Sequence, residues 1–284
     1  MSAADARVLL GGRRGATRLP SARIGLRSIA LIYLGALLVV PVGAIFYRTF
    51  EHGLSGPIDA VTSAEGLHAF WLTVVCVGIA VPLNTVFGVI TALVLVRQDF
   101  RGKAVLNAAI DLPFAISPVV IGLALFLVYA PRDSWVGGWL MDNGVQVIFS
   151  LPGMVLATIF VSLPFVAREV MPVLREIGTE QEQAAATLGA GAFTTFRRIT
   201  LPAIRWGVIY GVILTTARAI GEYGAVAVVS GRVIGESETA TTFVQRSFEG
   251  FDKQGAYSIS VVLAVIALLT VLLMTLLRPR NQEA

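Results

Sequence analysis

Six long apolar runs, at residues 28–47, 69–96, 112–129, 151–170, 206–229 and 257–277, leave this chain of 284 residues few ways to fold. Each is close to the roughly 20 residues that cross a hydrocarbon core as an α-helix. In lipid every backbone N–H and C=O must be satisfied within the protein, so only helices or closed barrels can span. Barrel strands alternate apolar and polar side chains over about 10 residues. These runs are longer and continuous, so they read as helices. Charge agrees with this. Only 14% of the residues are charged, against about 25% in a soluble domain, too few to cover a water-facing surface. The expected fold is an all-α polytopic membrane protein with about six spans.

Flanking cations set the orientation. Arg7, Arg13, Arg14, Arg18, Arg23 and Arg27 precede the first run, and Arg97, Arg101 and Lys103 follow the second. Arg168, Arg175, Arg197, Arg198 and Arg205 surround the fourth-to-fifth connection, and Arg278 and Arg280 end the chain. These are sixteen cations, against five (Arg48, Arg132, Arg232, Arg246 and Lys253) on the other side. The positive-inside rule places the richer side, with both termini, in the cytoplasm. The first run has the length of a full span and no small-residue cleavage site after it, so it is expected to stay as a helix. The expected organisation is a basic segment at 1–27, a first helix and outer loop at 28–68, a membrane core at 69–277 and a tail at 278–284. Pro41, Pro82, Pro113, Pro118 and Pro164 fall in or beside spans, where each removes a backbone donor and is expected to kink its helix. A single cysteine, Cys76, excludes an internal disulfide, and two histidines, His52 and His68, are too few for a histidine metal site.

The fourth-to-fifth connection, within residues 172–205, is much longer than the others and ordered in its chemistry. Thr179 and Glu182 have capping-box spacing, so a helix is expected to start there and run through Gln183, Ala184 and Ala185 to Leu188. Gly189 can close it in the left-handed conformation. A second short helix is expected over 192–199, and Pro202 suits the first turn of the fifth span. Leu188, Phe193 and Phe196 offer apolar anchors, so the pair reads as a docking element on the cytoplasmic face.

The run Gln183-Ala184-Ala185, three residues, Gly189, nine residues, then Ile199-x-Leu201-Pro202 resembles the coupling signature of ABC importer permeases, which begins Glu-Ala-Ala and ends Ile-x-Leu-Pro. Here Gln183 stands where the family has its acid, and Glu182 comes one position early. Further runs resemble the W-type subunit of sulfate/thiosulfate permeases over residues 69–277. They are Asp111-Leu112-Pro113-Phe114, Ser117-Pro118-Val119-Val120-x-Gly122, Pro164-Phe165-Val166-x-Arg168-Glu169, and the stretch from Ala217 through Arg218, Gly221, Glu222 and Gly224 to Val226. The fifth-span stretch is similar to molybdate permeases as well; the third-span run favours sulfate.

The resemblance implies a type I ABC importer permease fold and a chain that binds no cofactor itself. It implies a T-type permease as partner, two ATPase subunits that use ATP and Mg2+, and an extracytoplasmic sulfate-binding protein, with membrane lipid around the spans and no nucleic acid. It assigns ATPase coupling to Glu182, Gln183, Ala184, Ala185, Gly189, Ile199, Leu201 and Pro202.

Within the fifth span Arg218 and Glu222 are four apart, so a continuous helix would put them on one face. A lone charge at such depth costs about 2.5–3.5 kcal/mol or more, so the two are expected to pair, as a gate or as a static clamp. Arg218 as a direct ligand is disfavoured, because a fixed cation would hold a dianion too tightly and Glu222 would repel it. Ser117, beside the kink at Pro118, is a candidate neutral donor along the pathway. Asp111 is expected to be solvated or capping at the cytoplasmic end of the third span. Gly207-x-x-x-Gly211 is a weak signal for a partner helix.

Three classes compete. An ATP-driven importer permease needs the docking loop and a separate engine, since no Gly-x-x-x-x-Gly-Lys-Ser/Thr phosphate cradle occurs in the sequence. An autonomous secondary transporter would rely on broken midplane helices and would not need that loop. A membrane-embedded enzyme would need more ionisable groups in the spans than Arg218 and Glu222.

Overall fold

The computed structural model describes residues 20–51, 53–131 and 134–277. Arg7, Arg13, Arg14, Arg18, His52, Arg132 and the tail with Arg278 and Arg280 lie outside the described residues. Among the described residues every regular element is helical. In order they are α1 (Pro20–Phe50), α2 (Ser55–Thr62), α3 (Ala64–Arg97), α4 (Lys103–Ala115), α5 (Pro118–Tyr129), α6 (Trp135–Asp142) and α7 (Leu151–Ser162). There follow α8 (Pro164–Glu176), α9 (Glu180–Thr187), α10 (Ala192–Thr195), a π-helical turn (Phe196–Thr200), α11 (Leu201–Ile220), α12 (Gly224–Val229), α13 (Ala240–Glu249) and α14 (Lys253–Leu277).

The chain divides after Tyr47 into two compact units. The first holds α1 as far as Tyr47, and the stretch Arg27–Phe50 has a mean hydropathy of 2.5, as a membrane-crossing helix needs. In the second unit α3 is the spine. Its 34 residues rise about 50 Å and meet three successive apolar clusters. Ala69 joins Phe243 and Ile259 at one end; Leu72 and Cys76 join Ile121, Met154, Val226 and Val229 in the middle; Val89, Ala92 and Leu95 join Ile110, Val166, Met171, Leu174 and Ile204 at the other.

Among the described residues five helical stretches are long and apolar enough to cross a membrane, or six if the bent pair α4–α5 is one span. The expected continuous third span is this pair, broken by a bend of 112°. The cause is local. A proline forces the residue before it out of the helical region, and Ile116 and Ser117 are extended (ψ 137° and 136°) ahead of Pro118. The fourth span reaches further than expected, over Leu151–Glu176, with Pro164 at the first position of α8 where its missing N–H costs nothing. Pro41 and Pro82 sit inside α1 and α3 without breaking them.

The fifth span also differs. It is helical from Ala192 to Ile220, so α10 is the start of the span and not a separate second helix. Pro202 has no N–H for the carbonyl four residues earlier; the helix widens into the π turn just before it and then continues. The helix that Gly207 and Gly211 pack against is α8 of the same chain. A Cβ at Gly211 would lie 2.8 Å from Val166 Cα, and one at Gly207 2.9 Å from the Glu169 carbonyl oxygen.

Candidate functional site

Two features of the fold carry chemistry: the exposed loop around α9, and a pair of helix breaks that meet inside the bundle.

The loop begins at Thr179, whose side chain does not cap α9 as the capping-box spacing suggested. Instead Gln183 Nε2 donates to Thr179 Oγ1 at 3.0 Å, on the exposed face. Glu182 is turned the other way. Its carboxylate meets Arg97, the last residue of α3, with Nε 3.0 Å from Oε2, and accepts from Thr200 Oγ1 at 2.8 Å. Ala185 is buried and Ala184 exposed, so α9 lies flat with one side down. Its end is a Schellman motif: Gly189 N donates to the Ala186 carbonyl and Ala190 N to the Ala185 carbonyl, with Gly189 at φ +82°. A side chain would be strained at that φ. On either side of Gly189, Leu188 and Phe193 stand 88% and 76% exposed, while Phe196 turns inward onto the cluster around Val170 and Ile204. Ile199 is half-buried in the π turn; Leu201 and Pro202 are exposed. Two large apolar side chains projecting from an ordered loop ringed by Gln183, Arg197 and Arg198 suit a protein partner.

The second feature joins the breaks before α5 and before α12. Arg218 lies in the last turn of α11, but the helix stops at Gly221, so Glu222 is outside it and not on the same continuous face. The pair still forms. Arg218 Nη1 lies 2.7 Å from Glu222 Oε2, with its N–H directed off the carboxylate oxygen, and the two side chains are 31% and 2% exposed. Glu222 Oε1 accepts from Ala225 N at 2.8 Å, which starts α12, and its carbonyl accepts from Thr241 Oγ1 at 2.7 Å. A Cβ on Gly224 would lie 3.0 Å from Pro118 Cβ, and one on Gly122 2.8 Å from the Ala225 carbonyl oxygen. The two breaks therefore touch through glycine. Ser117 is exposed at the N-cap of α5 and caps nothing with its hydroxyl. The first-turn amides of Val119 and Val120 have no intrahelical acceptor.

Asp111 is neither merely solvated nor capping. Arg168 grips it with both arms: Nε donates to Oδ1 at 2.7 Å and Nη2 to Oδ2, tying α4 to α8. On the opposite end, Arg246 is held by Glu238 (2.6 Å) and Glu65 (2.8 Å), so of the two arginines in the loop 230–256 only Arg232 projects freely from its backbone turn, at φ +53°. Asp111–Arg168 and Arg97–Glu182 join positions 57 and 85 residues apart, and no spacing rule reveals them.

The family described as "Binding-protein-dependent transport system inner membrane component" matches residues 84–283. The sulfate transport system permease protein CysW of Synechocystis sp. is 49% identical over 254 residues, covering 89% of this chain and 92% of that protein. The CysT permease of the same organism is 35% identical over 250 residues, covering 88% and 87%. Among solved structures, a bacterial ABC transporter involved in the import of the acidic polysaccharide alginate superposes with a TM-score of 0.75 over 92% of this chain and 96% of that one, at 16% identity. That likeness establishes the type I permease fold.

Proposed function

Because the chain belongs to the family of binding-protein-dependent transport inner membrane components, a multi-pass protein of the cytoplasmic membrane, we propose that it is the W-type permease subunit of an ATP-driven sulfate/thiosulfate importer. The observation that carries the reading is the identity to a named sulfate permease, 49% for CysW against 35% for CysT of one organism, in a chain that keeps the docking loop exposed. Broken helices alone would fit a secondary transporter equally well. The α9 loop with Leu188 and Phe193 in the open would then have no task.

In this reading the chain carries no ATPase site, and its energy comes from two separate ATPase subunits that dock on α9 and use ATP and Mg2+. A T-type permease faces it across the pathway, and a soluble binding protein delivers the anion outside. With the termini and the α9 loop on the cytoplasmic side, closure of the ATPase dimer moves the two docking loops together and opens the pathway outward.

The anion passes the paired breaks. There the Ser117 hydroxyl and the free amides at the start of α5 replace part of the lost hydration with neutral donors. Glu222 neutralises Arg218, which keeps the site from trapping a dianion; a transported ion must be held weakly enough to leave. The test is reconstitution with the ATPases, the T-type permease and a sulfate-loaded binding protein. ATP-dependent uptake of labelled sulfate, competed by thiosulfate, supports the assignment. Uptake of molybdate with exclusion of sulfate would reassign the substrate.

A further inference from the structure

Arg97 receives more from its surroundings than a surface arginine at a helix end needs. Its Nη1 donates to the Leu174 carbonyl at 3.0 Å, in the last turn of α8, and its Nη2 to the Gly178 carbonyl at 2.6 Å, just past that helix. The Leu174 carbonyl is an orphan acceptor of the last turn of α8, where a cation is favoured, and Gly178 lies in the turn two residues beyond that helix. The same guanidinium donates to Glu182, in the first turn of α9, through Nη2 at 3.3 Å, while Nε stands 3.0 Å from the carboxylate as an ionic contact with its N–H directed off the oxygen. The carboxylate is in turn held by Thr200 Oγ1, the one buried residue of the π turn. Only 15% of the Arg97 side chain and 22% of the Glu182 side chain remain exposed. Four segments thus converge on one charge pair: the end of the spine α3, the end of α8 with the turn after it, the start of the docking helix, and the π turn within the fifth span.

We infer that Arg97, Glu182 and Thr200 are positioning residues for energy coupling: they form the tether through which motion of α9 reaches the membrane core. This rests on the reading of α9 as the ATPase-docking element. α9 is short, has no side-chain cap of its own and buries only Ala185. Eight residues with one buried methyl are not held rigidly by packing. Without the tether a push on Leu188 and Phe193 would tilt α9 on its Gly178 and Gly189 turns, both at positive φ, and would not displace α3 and α8. The inward use of Glu182 also separates its task from that of Gln183, which faces outward at the position of the family's acid.

The test uses the assembled transporter in proteoliposomes and reads the ATP hydrolysed per sulfate delivered, on complexes that retain their ATPase. A purely structural role would lower uptake and hydrolysis together and leave the ratio unchanged. Glu182→Gln, which keeps the α8 carbonyls capped, is expected to raise the ratio about tenfold, the scale of a lost coupling interaction. Thr200→Val is expected to raise it about threefold, since it removes one of the hydrogen bonds and leaves the ion pair. Arg97→Gln should match or exceed Glu182→Gln, and Arg97→Lys should recover part of the loss. An unchanged ratio in Glu182→Gln overturns the inference. Should that variant not assemble, Thr200→Val decides by the same criterion. Failure of the underlying reading looks different: the ATPase would stay bound after Leu188→Asp with Phe193→Asp.

Discussion

Arg218 and Glu222 pair at 2.7 Å across the end of a helix, not along it. Arg218 belongs to the last turn of α11, and Glu222, 2% exposed, begins the next helix by accepting from Ala225 N. The pair therefore spans a break, and the break meets a second one at Pro118 through the close approach of Gly224. A charge pair that bridges two helical segments resists a change in the angle between them. The pair is thus placed to hold the geometry of the breaks.

Removing either partner has unequal costs. Arg218→Gln leaves a buried carboxylate with one N–H to satisfy it, and is expected to destabilise the complex by about 3 kcal/mol. Glu222→Gln keeps an acceptor for Ala225 N and leaves an arginine that is 31% exposed, so about 1 kcal/mol is expected. Thermal unfolding of the purified complex ranks the two. Equal or reversed losses would show that Glu222 is not the buried partner.

Asp111 and Arg168 form a bidentate pair between α4 and α8, and both are part exposed (44% and 30%). A double-mutant cycle of Asp111→Asn and Arg168→Gln should give a coupling energy of about 1 kcal/mol, reduced from a fully buried pair by solvent screening. Additive losses would mean the two act separately.

Two glycines make a matched control for the packing of the core. Gly211→Ala would drive a methyl to 2.8 Å from Val166 Cα, backbone that cannot give way, and is expected to cost about 1–3 kcal/mol. Gly78→Ala, in α3, meets nothing within 4 Å and should stabilise the helix by about 1 kcal/mol. Opposite signs in unfolding of the two variants check the α8–α11 contact directly.

Much of this architecture was legible in the chain, and the illegible part has a physical pattern. Hydropathy accumulates over some 20 residues, so the membrane layout survives errors at single positions. The first helix of the α9 loop and its end were legible because its alanines favour a helix and Gly189 can stop it at positive φ, whereas the Thr179 cap and a second helix separate from the fifth span were not borne out. The breaks were half legible. Pro118 announced the third-span bend, whereas Gly221 gave no sign that α11 would stop there. The partners of Asp111, Arg97 and Glu182 were not legible at all. Each pairs with a residue that only the packing of distant helices brings near, and Glu182 read only as a capping-box and coupling residue because local spacing says nothing of which side of α9 faces α3.

The claim on which the rest depends is that α9 receives a separate ATPase through its exposed apolar side chains. Uptake of labelled sulfate into proteoliposomes measures it, using this permease with a T-type partner, its ATPases and a loaded binding protein. Uptake should require ATP and should fall to background in the Leu188→Asp/Phe193→Asp variant, with the ATPase lost from the purified complex and the helical content unchanged. Uptake by the permeases alone without ATP, or an ATPase still bound and still driving transport in that variant, would contradict it.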